Sequence, residues 1–176
     1  FKSFCKLLSK KTKLVAIAHI SNTLGTILPI KDIITASHNV GALVMLDSAQ
    51  AIAHTKIDVQ YLDCDFLVFS MHKMYGPSGV GVLYGKYEIL KNLPPYQSGG
   101  GMIKEVTFEK TTYTDSPNKF ESGTPNIAGV IASIEAIKYI NKIGFDFIKK
   151  QENNLLVHAS QELNKIPNLT IIGNAK

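Results

Sequence analysis

Polar side chains that can bind or react with a small molecule follow three short apolar runs of this 176-residue chain. They comprise a carboxylate, two amides, a hydroxyl, an imidazole and an ammonium. The residues are Asn22, Asp47, Gln50, Ser70, His72 and Lys73. Ligands of open α/β sheets bind at the carboxyl ends of the strands. If the three apolar runs are neighbouring parallel strands, these side chains meet at one edge of the sheet and form a ligand site.

The combination of Lys73 with Asp47 indicates a particular cofactor. Lys73 comes directly after an apolar run of buried-strand type. Burial disfavours a charged ammonium, and the neutral amine is the nucleophile of Schiff-base chemistry. Pyridoxal phosphate needs such an amine for its aldehyde and a carboxylate that keeps its ring nitrogen protonated. About one crossover separates the two residues, which predicts that they lie on adjacent strands.

Each of these residues alone has an ordinary structural explanation. A single Lys after a strand is usually a solvated loop residue, and an Asp at a strand end usually caps the next helix. Their occurrence together with Asn22, Gln50 and His72 favours the cofactor site. The remaining candidates lack such neighbours and are interpreted as packing residues: His38, His54 and His158.

The order of apolar and helical patterns predicts an α/β fold in which a mostly parallel sheet is flanked by helices. Buried strands are predicted at residues 14–18, 43–46, 65–69 and 80–84. The link from Lys73 to the fourth strand is too short for a crossover, so that strand is predicted to be antiparallel. The pattern also predicts the end of a helix within residues 1–12, and a helix over 30–39 that Pro29 opens and Gly41 closes.

The second half of the chain differs from the first in composition. Residues 94–125 hold four Pro and three consecutive Gly, which predicts a long functional loop. Helices are then predicted over 126–142 and 145–164, and a strand over 169–172. The first of these helices carries apolar residues on one face, namely Ile127, Val130, Ile131, Ile134, Ile137 and Ile140. We expect a large domain at 1–140 and the beginning of a smaller carboxyl-terminal domain at 141–176.

Composition argues against several other classes of function. The net charge is +5, but all 19 basic residues are Lys, whereas Arg is the better ligand for phosphates and base edges. No apolar run reaches the roughly 20 residues of a membrane helix, and no targeting segment is evident. We therefore expect neither nucleic acid nor membrane as a partner. Cys5 and Cys64 are too few for a disulfide framework or a metal site, so a reduced, cytoplasmic location and no metal are expected.

Four longer segments around the site residues resemble one enzyme family. FSMHKMYGPSGVGVLYG (69–85) resembles the lysine segment of the class V aminotransferase superfamily, within the fold type I pyridoxal phosphate enzymes. Three further segments resemble the Suf-type (group II) cysteine desulfurases in order and spacing. They are HISNTLGTILPI (19–30), DSAQAIAHTKIDVQYLDCDF (47–66) and FESGTPNIAGVIA (120–132). The SGTPN phrase favours this branch over the group I desulfurases.

The resemblance implies a role for each residue near the cofactor ring. Lys73 forms the Schiff base with the cofactor and later moves the α-proton of the substrate. Asp47 pairs with the pyridine nitrogen. Asn22 and Gln50 lie near the phenolic oxygen of the ring.

The resemblance also implies how the phosphate is held. Ser70 and His72 bind it within the same subunit, and Thr124 reaches the phosphate of the neighbouring subunit of a homodimer. Gly101 departs from the family pattern, because relatives usually have an acidic residue there. This difference is expected to alter the loop at the site entrance.

The implied activity is a cysteine desulfurase that converts L-cysteine to L-alanine and transfers persulfide sulfur to an acceptor protein for iron–sulfur cluster assembly. A selenocysteine lyase, with L-selenocysteine as substrate, or another class V enzyme is the alternative, and a non-catalytic Lys-rich binding module is the alternative of a different class. Family members also carry a catalytic Cys and a carboxylate-binding Arg beyond the matching region. Cys64 matches a different family position and Cys5 matches none. The chain therefore resembles the central part of a desulfurase, and by itself it is expected to be inactive.

Overall fold

The computed structural model describes residues 1–173, in which a four-stranded sheet has the order β1–β2–β3–β4. The strands are β1 (Leu14–Ala18), β2 (Leu43–Asp47), β3 (Phe66–Ser70) and β4 (Gly81–Gly85). β1, β2 and β3 are parallel and β4 is antiparallel to β3. The four strands predicted before residue 86 and the direction of the fourth are confirmed, but their predicted burial is wrong for β1 and β4, which contain no fully buried residue. Ala18 pairs with Asp47 and Asp47 with Val68, so the carboxyl ends of the parallel strands are aligned.

Helices and a small hairpin surround this sheet. The helices are α1 (Lys2–Leu7), α2 (Ile30–His38), α3 (Val59–Leu62), α4 (Tyr87–Asn92), α5 (Ile127–Ile143) and α6 (Phe145–Leu163), with 3₁₀ turns at Met71–Met74 and Asn118–Phe120. The hairpin pairs β5 (Ile103–Val106) with β6 (Thr111–Tyr113). Pro29 precedes α2 as predicted, but the cap is Asn39 and not Gly41. The Asn39 N–H already closes the last turn on the Thr35 carbonyl, and Gly41 follows with a φ of +80°.

Two apolar clusters form the core. The first lies between α2 and the sheet and contains Ile30, Ile34, Val44, Leu46, Cys64 and Leu67. The second lies beneath the first 3₁₀ turn and contains Met71, Met74, Ala136, Ile140 and Ile148. This second cluster joins the segment that carries Lys73 to α5 and α6.

The orientation of α5 differs from the one that its apolar pattern suggests. Its buried side consists of mostly small residues: Gly129, Ser133, Ala136 and Ile140. Five of the six residues of the predicted apolar face are instead between 44 % and 61 % exposed: Ile127, Val130, Ile131, Ile134 and Ile137. Close approach explains the choice, because a Cβ on Gly129 would lie 2.8 Å from Val80 Cγ2. Only a small side chain lets the helix pack against the segment that leads into β4.

Two other predictions for the second half are corrected. Residues 94–125 contain the β5–β6 hairpin and the fully buried Met102, so they are more than a loop. Residues 169–172 form no strand, since no neighbouring strand pairs with them within residues 1–173.

Ile148 of α6 packs into the second core cluster. The division into domains at residues 140 and 141 stays a prediction.

A charged cluster ties α2, β3 and β4 together at the amino end of β3. The buried carboxylate of Asp65 accepts a hydrogen bond from the Val44 N–H (2.7 Å) and lies 2.8 Å from His38 Nε2 and 3.0 Å from Lys86 Nζ. Burial alone would raise the pKa of Asp65, but the hydrogen bonds from His38, Val44 and Lys86 hold it below its ordinary value. Burial opposes the charge of Lys86, yet Asp63 and Asp65 raise the pKa of that ammonium.

We expect Asp65→Ala to lower the free energy of unfolding of the complete protein by about 1–3 kcal/mol at neutral pH, since it leaves the buried Val44 N–H without its acceptor and removes one of the two carboxylates that pair with Lys86. Because folding lowers the pKa of Asp65, its carboxylate stabilises the fold at pH values above its ordinary pKa of 3.8. This contribution is lost as the pH falls through the lower pKa of the folded protein. The variant should therefore lose part of the acid dependence seen in urea unfolding. Glu109→Ala on the exposed hairpin is the control and should change stability by less than about 0.5 kcal/mol. Equal losses in the two variants would contradict the assignment.

Candidate active site

The carboxyl ends of β1, β2 and β3 form one polar edge of the sheet, which we call the carboxyl edge. Pairing continues one residue beyond the strands: the His19 N–H donates to the Asp47 carbonyl at 2.8 Å, and the Ser48 N–H donates to the Val68 carbonyl at 2.9 Å. The segments that follow the three strands are therefore held side by side. The predicted alignment of the three strand ends is therefore present, while the ligand site that their side chains would form stays a prediction.

Asp47 ends β2 and keeps one carboxylate oxygen available. Its Oδ1 accepts a hydrogen bond from the Ala49 N–H at 3.0 Å, which stabilises the turn after the strand. Its Oδ2 has no hydrogen-bond partner within residues 1–173. The next residue, Ser48, is fully buried, and its Oγ lies 3.4 Å from His19 Nδ1. Burial lowers the pKa of His19, which favours the neutral form of the imidazole beside Ser48.

Lys73 and His72 lie on the 3₁₀ turn that follows Ser70 at the end of β3. Met71 and Met74 of the same turn face the second core cluster, so the other two side chains are turned outward and exposed. The expected burial of Lys73 is wrong for this reason. Its ammonium has no hydrogen-bond or ion-pair partner in the described part of the chain.

A cavity of about 560 Å³ lies beside the carboxyl edge and brings the two predicted amides, Asn22 and Gln50, together. His19, which follows β1, also lines the cavity, as do residues of α6 and of the segment after β2. The further residues that line the cavity are Ile20, Ser21, Gly25, Ile27, His54, Thr55, Lys149 and Glu152.

The contact between His54 and α6 was not predicted. His54 Nδ1 lies 2.5 Å from Glu152 Oε1, and 98 residues separate the two in the sequence. His54 was interpreted as a packing residue, whereas it is half-buried and paired with a carboxylate. No local pattern identifies such a partner, because the contact depends on where α6 packs.

Thr124 is exposed in the loop before α5 and does not line the cavity with Asn22 and Gln50. Its segment is anchored through Asn126. The Asn126 side chain accepts from the Gly129 N–H at 3.0 Å and donates to the Gly79 carbonyl at 3.5 Å. The loop that carries Thr124 is thus attached to the turn between the Lys73 segment and β4.

The surroundings of Cys64 and the backbone conformation of Gly101 show what each position can accommodate. Cys64 is fully buried, and burial raises the pKa of its thiol, as do the carboxylates of Asp65 and Asp63. It is therefore unsuited to act as a nucleophile. Gly101 has a φ of +82°, a conformation that L side chains rarely adopt. An acidic residue in its place would strain the loop.

Comparison with known proteins identifies the family. The family model described as aminotransferase class-V matches residues 1–176, so the chain belongs to the aminotransferase class-V family. It is 52 % identical over 170 residues to a cysteine desulfurase of Synechococcus elongatus, and 48 % identical over 168 residues to a cysteine desulfurase of Dickeya dadantii. The resemblance found in the sequence is confirmed.

A solved structure shares the fold as well. The cysteine desulfurase CsdA of Escherichia coli superimposes with a TM-score of 0.89 at 39 % identity, over 92 % of this chain and 41 % of that one. The predicted α/β fold of the fold type I pyridoxal phosphate transferases is thereby confirmed. The chain covers 27 % of the length of the Synechococcus relative and 41 % of the Dickeya relative.

Within residues 1–173, no group of three or more His, Cys, Asp or Glu side chains is arranged to hold a metal ion. In the same residues, no helix combines the length and the apolar character that a membrane crossing requires.

Proposed function

We propose that the complete protein is a pyridoxal phosphate-dependent cysteine desulfurase, which converts L-cysteine to L-alanine and passes the sulfur on as a persulfide. The observation that carries the proposal is the carboxyl edge. It aligns Asp47 with the segment that leads to the free amine of Lys73, in a chain similar to named cysteine desulfurases over nearly its full length.

Pyridoxal phosphate fits the donor set of this edge. The cofactor supplies an aldehyde for Schiff-base formation and a ring that withdraws electrons from the substrate α-carbon. The unpartnered amine of Lys73 suits the aldehyde, and the available Oδ2 of Asp47 suits a protonated ring nitrogen. The hydroxyl of Ser70 and the imidazole of His72 suit the phosphate.

The side chains of the carboxyl edge have different roles toward the cofactor and the substrate. Lys73 Nζ attaches the cofactor, and it later takes the α-proton of the substrate and returns a proton. Asp47 holds the proton on the ring nitrogen by charge pairing. Asn22 and Gln50 orient the ring through its phenolic oxygen, and their common position in one cavity supports this role.

We further propose that the protein acts as a homodimer in which Thr124 binds the phosphate of the neighbouring subunit. The exposure of Thr124 supports the proposal, as does the fully exposed Phe108 at the tip of the β5–β6 hairpin. Isolated apolar side chains of this size are favourable contacts at protein interfaces. Thr124→Ala should weaken cofactor retention, and mixing it with a Lys73→Ala variant should restore activity only if the sites are shared between subunits.

The sulfur acceptor is proposed to be a protein that serves iron–sulfur cluster assembly, and the location to be the cytoplasm. The free thiols of Cys5 and Cys64 support a reducing compartment. Comparing kcat/KM for L-cysteine and L-selenocysteine tests the substrate. A clear preference for L-selenocysteine would favour the lyase, and no turnover of either by cofactor-loaded protein would overturn the proposed function.

A polypeptide of residues 1–176, supplied with pyridoxal phosphate, should release neither sulfide nor alanine from cysteine. Desulfuration requires an accessible thiolate near the cofactor, and Cys64 is fully buried with a raised pKa. Cys5 lies on α1, which leads into the amino end of β1, at the edge of the sheet opposite Lys73. The chain also has no Arg for the substrate carboxylate.

The matched variant for this prediction is Cys64→Ser. In the complete protein it should leave turnover unchanged apart from a loss of stability. Sulfide release by the 1–176 polypeptide above the level of free cofactor, and its disappearance in Cys64→Ser, would show that Cys64 is a nucleophile after all.

A further inference from the structure

Tyr75 has an unusual backbone conformation at the end of the turn that carries Lys73. Its φ is +60°, in the left-handed region that bulky L residues rarely adopt. In this conformation the Tyr75 N–H donates to the Met71 carbonyl, and the Gly76 N–H donates to the same carbonyl at 2.8 Å. The left-handed residue therefore closes the 3₁₀ turn.

The surroundings hold Tyr75 in this conformation. Its ring packs edge to face against Tyr139 of α5, with the ring centroids 5.8 Å apart and the planes at 73°. Such pairs stabilise beyond the area they bury. Gly76 lets the backbone after Tyr75 approach Met71 closely, because a Cβ at position 76 would lie only 3.0 Å from the Met71 carbonyl oxygen. A strained residue persists where its neighbours determine it in this way.

The same turn is fixed from its inner side by α5. Met71 and Met74 are buried against Ala136 and Ile140, while Lys73 points away from this contact. α5 thus holds the turn twice, through the buried methionines and through the Tyr75–Tyr139 ring pair. The backbone of Lys73 lies between these two attachments.

We propose that Tyr75, held by Tyr139, is a positioning residue for Lys73: the ring pair keeps the 3₁₀ turn closed, so that the Lys73 side chain leaves it from a fixed backbone. The inference rests on the proposed function, because the position of the Lys73 amine matters for rate only if that amine reacts. Opening of the turn would let the flexible Lys73 side chain sample arrangements away from the carboxyl edge. Precise placement of a reacting group contributes strongly to rate.

The test replaces Tyr139 in the complete protein. Tyr139→Ala should raise the hydrogen-exchange rates of the Tyr75 and Gly76 amides about 10-fold in the cofactor-free protein, as expected for the loss of one aromatic pair. It should also lower kcat for cysteine by a similar factor with little change in KM. Tyr139→Phe keeps the ring and should restore both values.

Two further variants keep the test decisive. Tyr87→Ala removes a similarly exposed ring from α4 and should leave exchange at residues 75 and 76 and kcat unchanged. Tyr75→Gly removes the ring but adopts a positive φ readily, so it should raise exchange less than Tyr75→Ala. The inference is overturned if Tyr139→Ala matches Tyr87→Ala in exchange and in kcat. Turnover retained by Lys73→Ala would instead overturn the proposed function, and with it the catalytic purpose assigned to Tyr75, whatever the exchange rates are.

Discussion

Lys73→Ala in the complete protein should abolish both the visible absorbance of covalently bound pyridoxal phosphate and all release of sulfide and alanine. The attachment is covalent and uses the lysine amine, so no weaker interaction can replace it. Borohydride reduction followed by peptide mass spectrometry should find the cofactor on the peptide that contains Lys73 in the unchanged protein, and nowhere in the variant.

Lys56→Ala is the matched control for this experiment. Lys56 is also an exposed lysine, but it lies in the loop that follows β2 and precedes α3. Lys86 is a poorer control, because its ion pairs with Asp63 and Asp65 stabilise the opposite edge of the sheet. A Lys73→Ala protein that retained absorbance and turnover would remove the basis of the proposed function and would favour the Lys-rich binding module.

Asp47→Asn should retain the cofactor and the fold but lower kcat by about 10²–10³ or more. The amide can still accept the hydrogen bond of the Ala49 N–H, so the turn after β2 is preserved. It carries no charge, however, and cannot hold the proton on the ring nitrogen. Loss of one partner from an ion pair shielded from water costs about 3–5 kcal/mol, and a barrier raised by that amount slows the reaction to this extent.

A second aspartate separates the two explanations of Asp47. Asp58 acts as a helix cap, because its Oδ1 accepts from the Gln60 and Tyr61 N–H groups at the start of α3. Asp58→Asn should therefore leave kcat unchanged and alter stability by about 1 kcal/mol or less. If Asp47→Asn behaves in the same way, Asp47 is also only a cap, and the polar edge does not bind the ring nitrogen.

Local patterns were sufficient for the architecture that carries these residues. Apolar runs of four or five residues without alternation identify the four strands, although only the two central strands, β2 and β3, contain fully buried residues. The short link after Lys73 makes β4 antiparallel, because a crossover needs a dozen residues or more. The parallel alignment of β1, β2 and β3 then places Asp47 and the residues after Ala18 and Ser70 at one edge. The roles of Lys73 and Asp47 follow from their chemistry and from the resemblance, those of the other residues from the resemblance alone, and all of them stay predictions.

Contacts between distant segments could be decided only by the tertiary structure. Periodicity predicts which residues of α5 share a face, but the neighbouring segment determines which face is buried, and the close approach of Val80 leaves room only for a glycine at position 129. Lys73 is exposed because Met71 and Met74 occupy the core side of its turn. The pairing of His54 with Glu152 depends on the packing of a helix far along the chain. In each case the sequence determines local conformation, while burial and partners depend on residues that only the folded chain brings together.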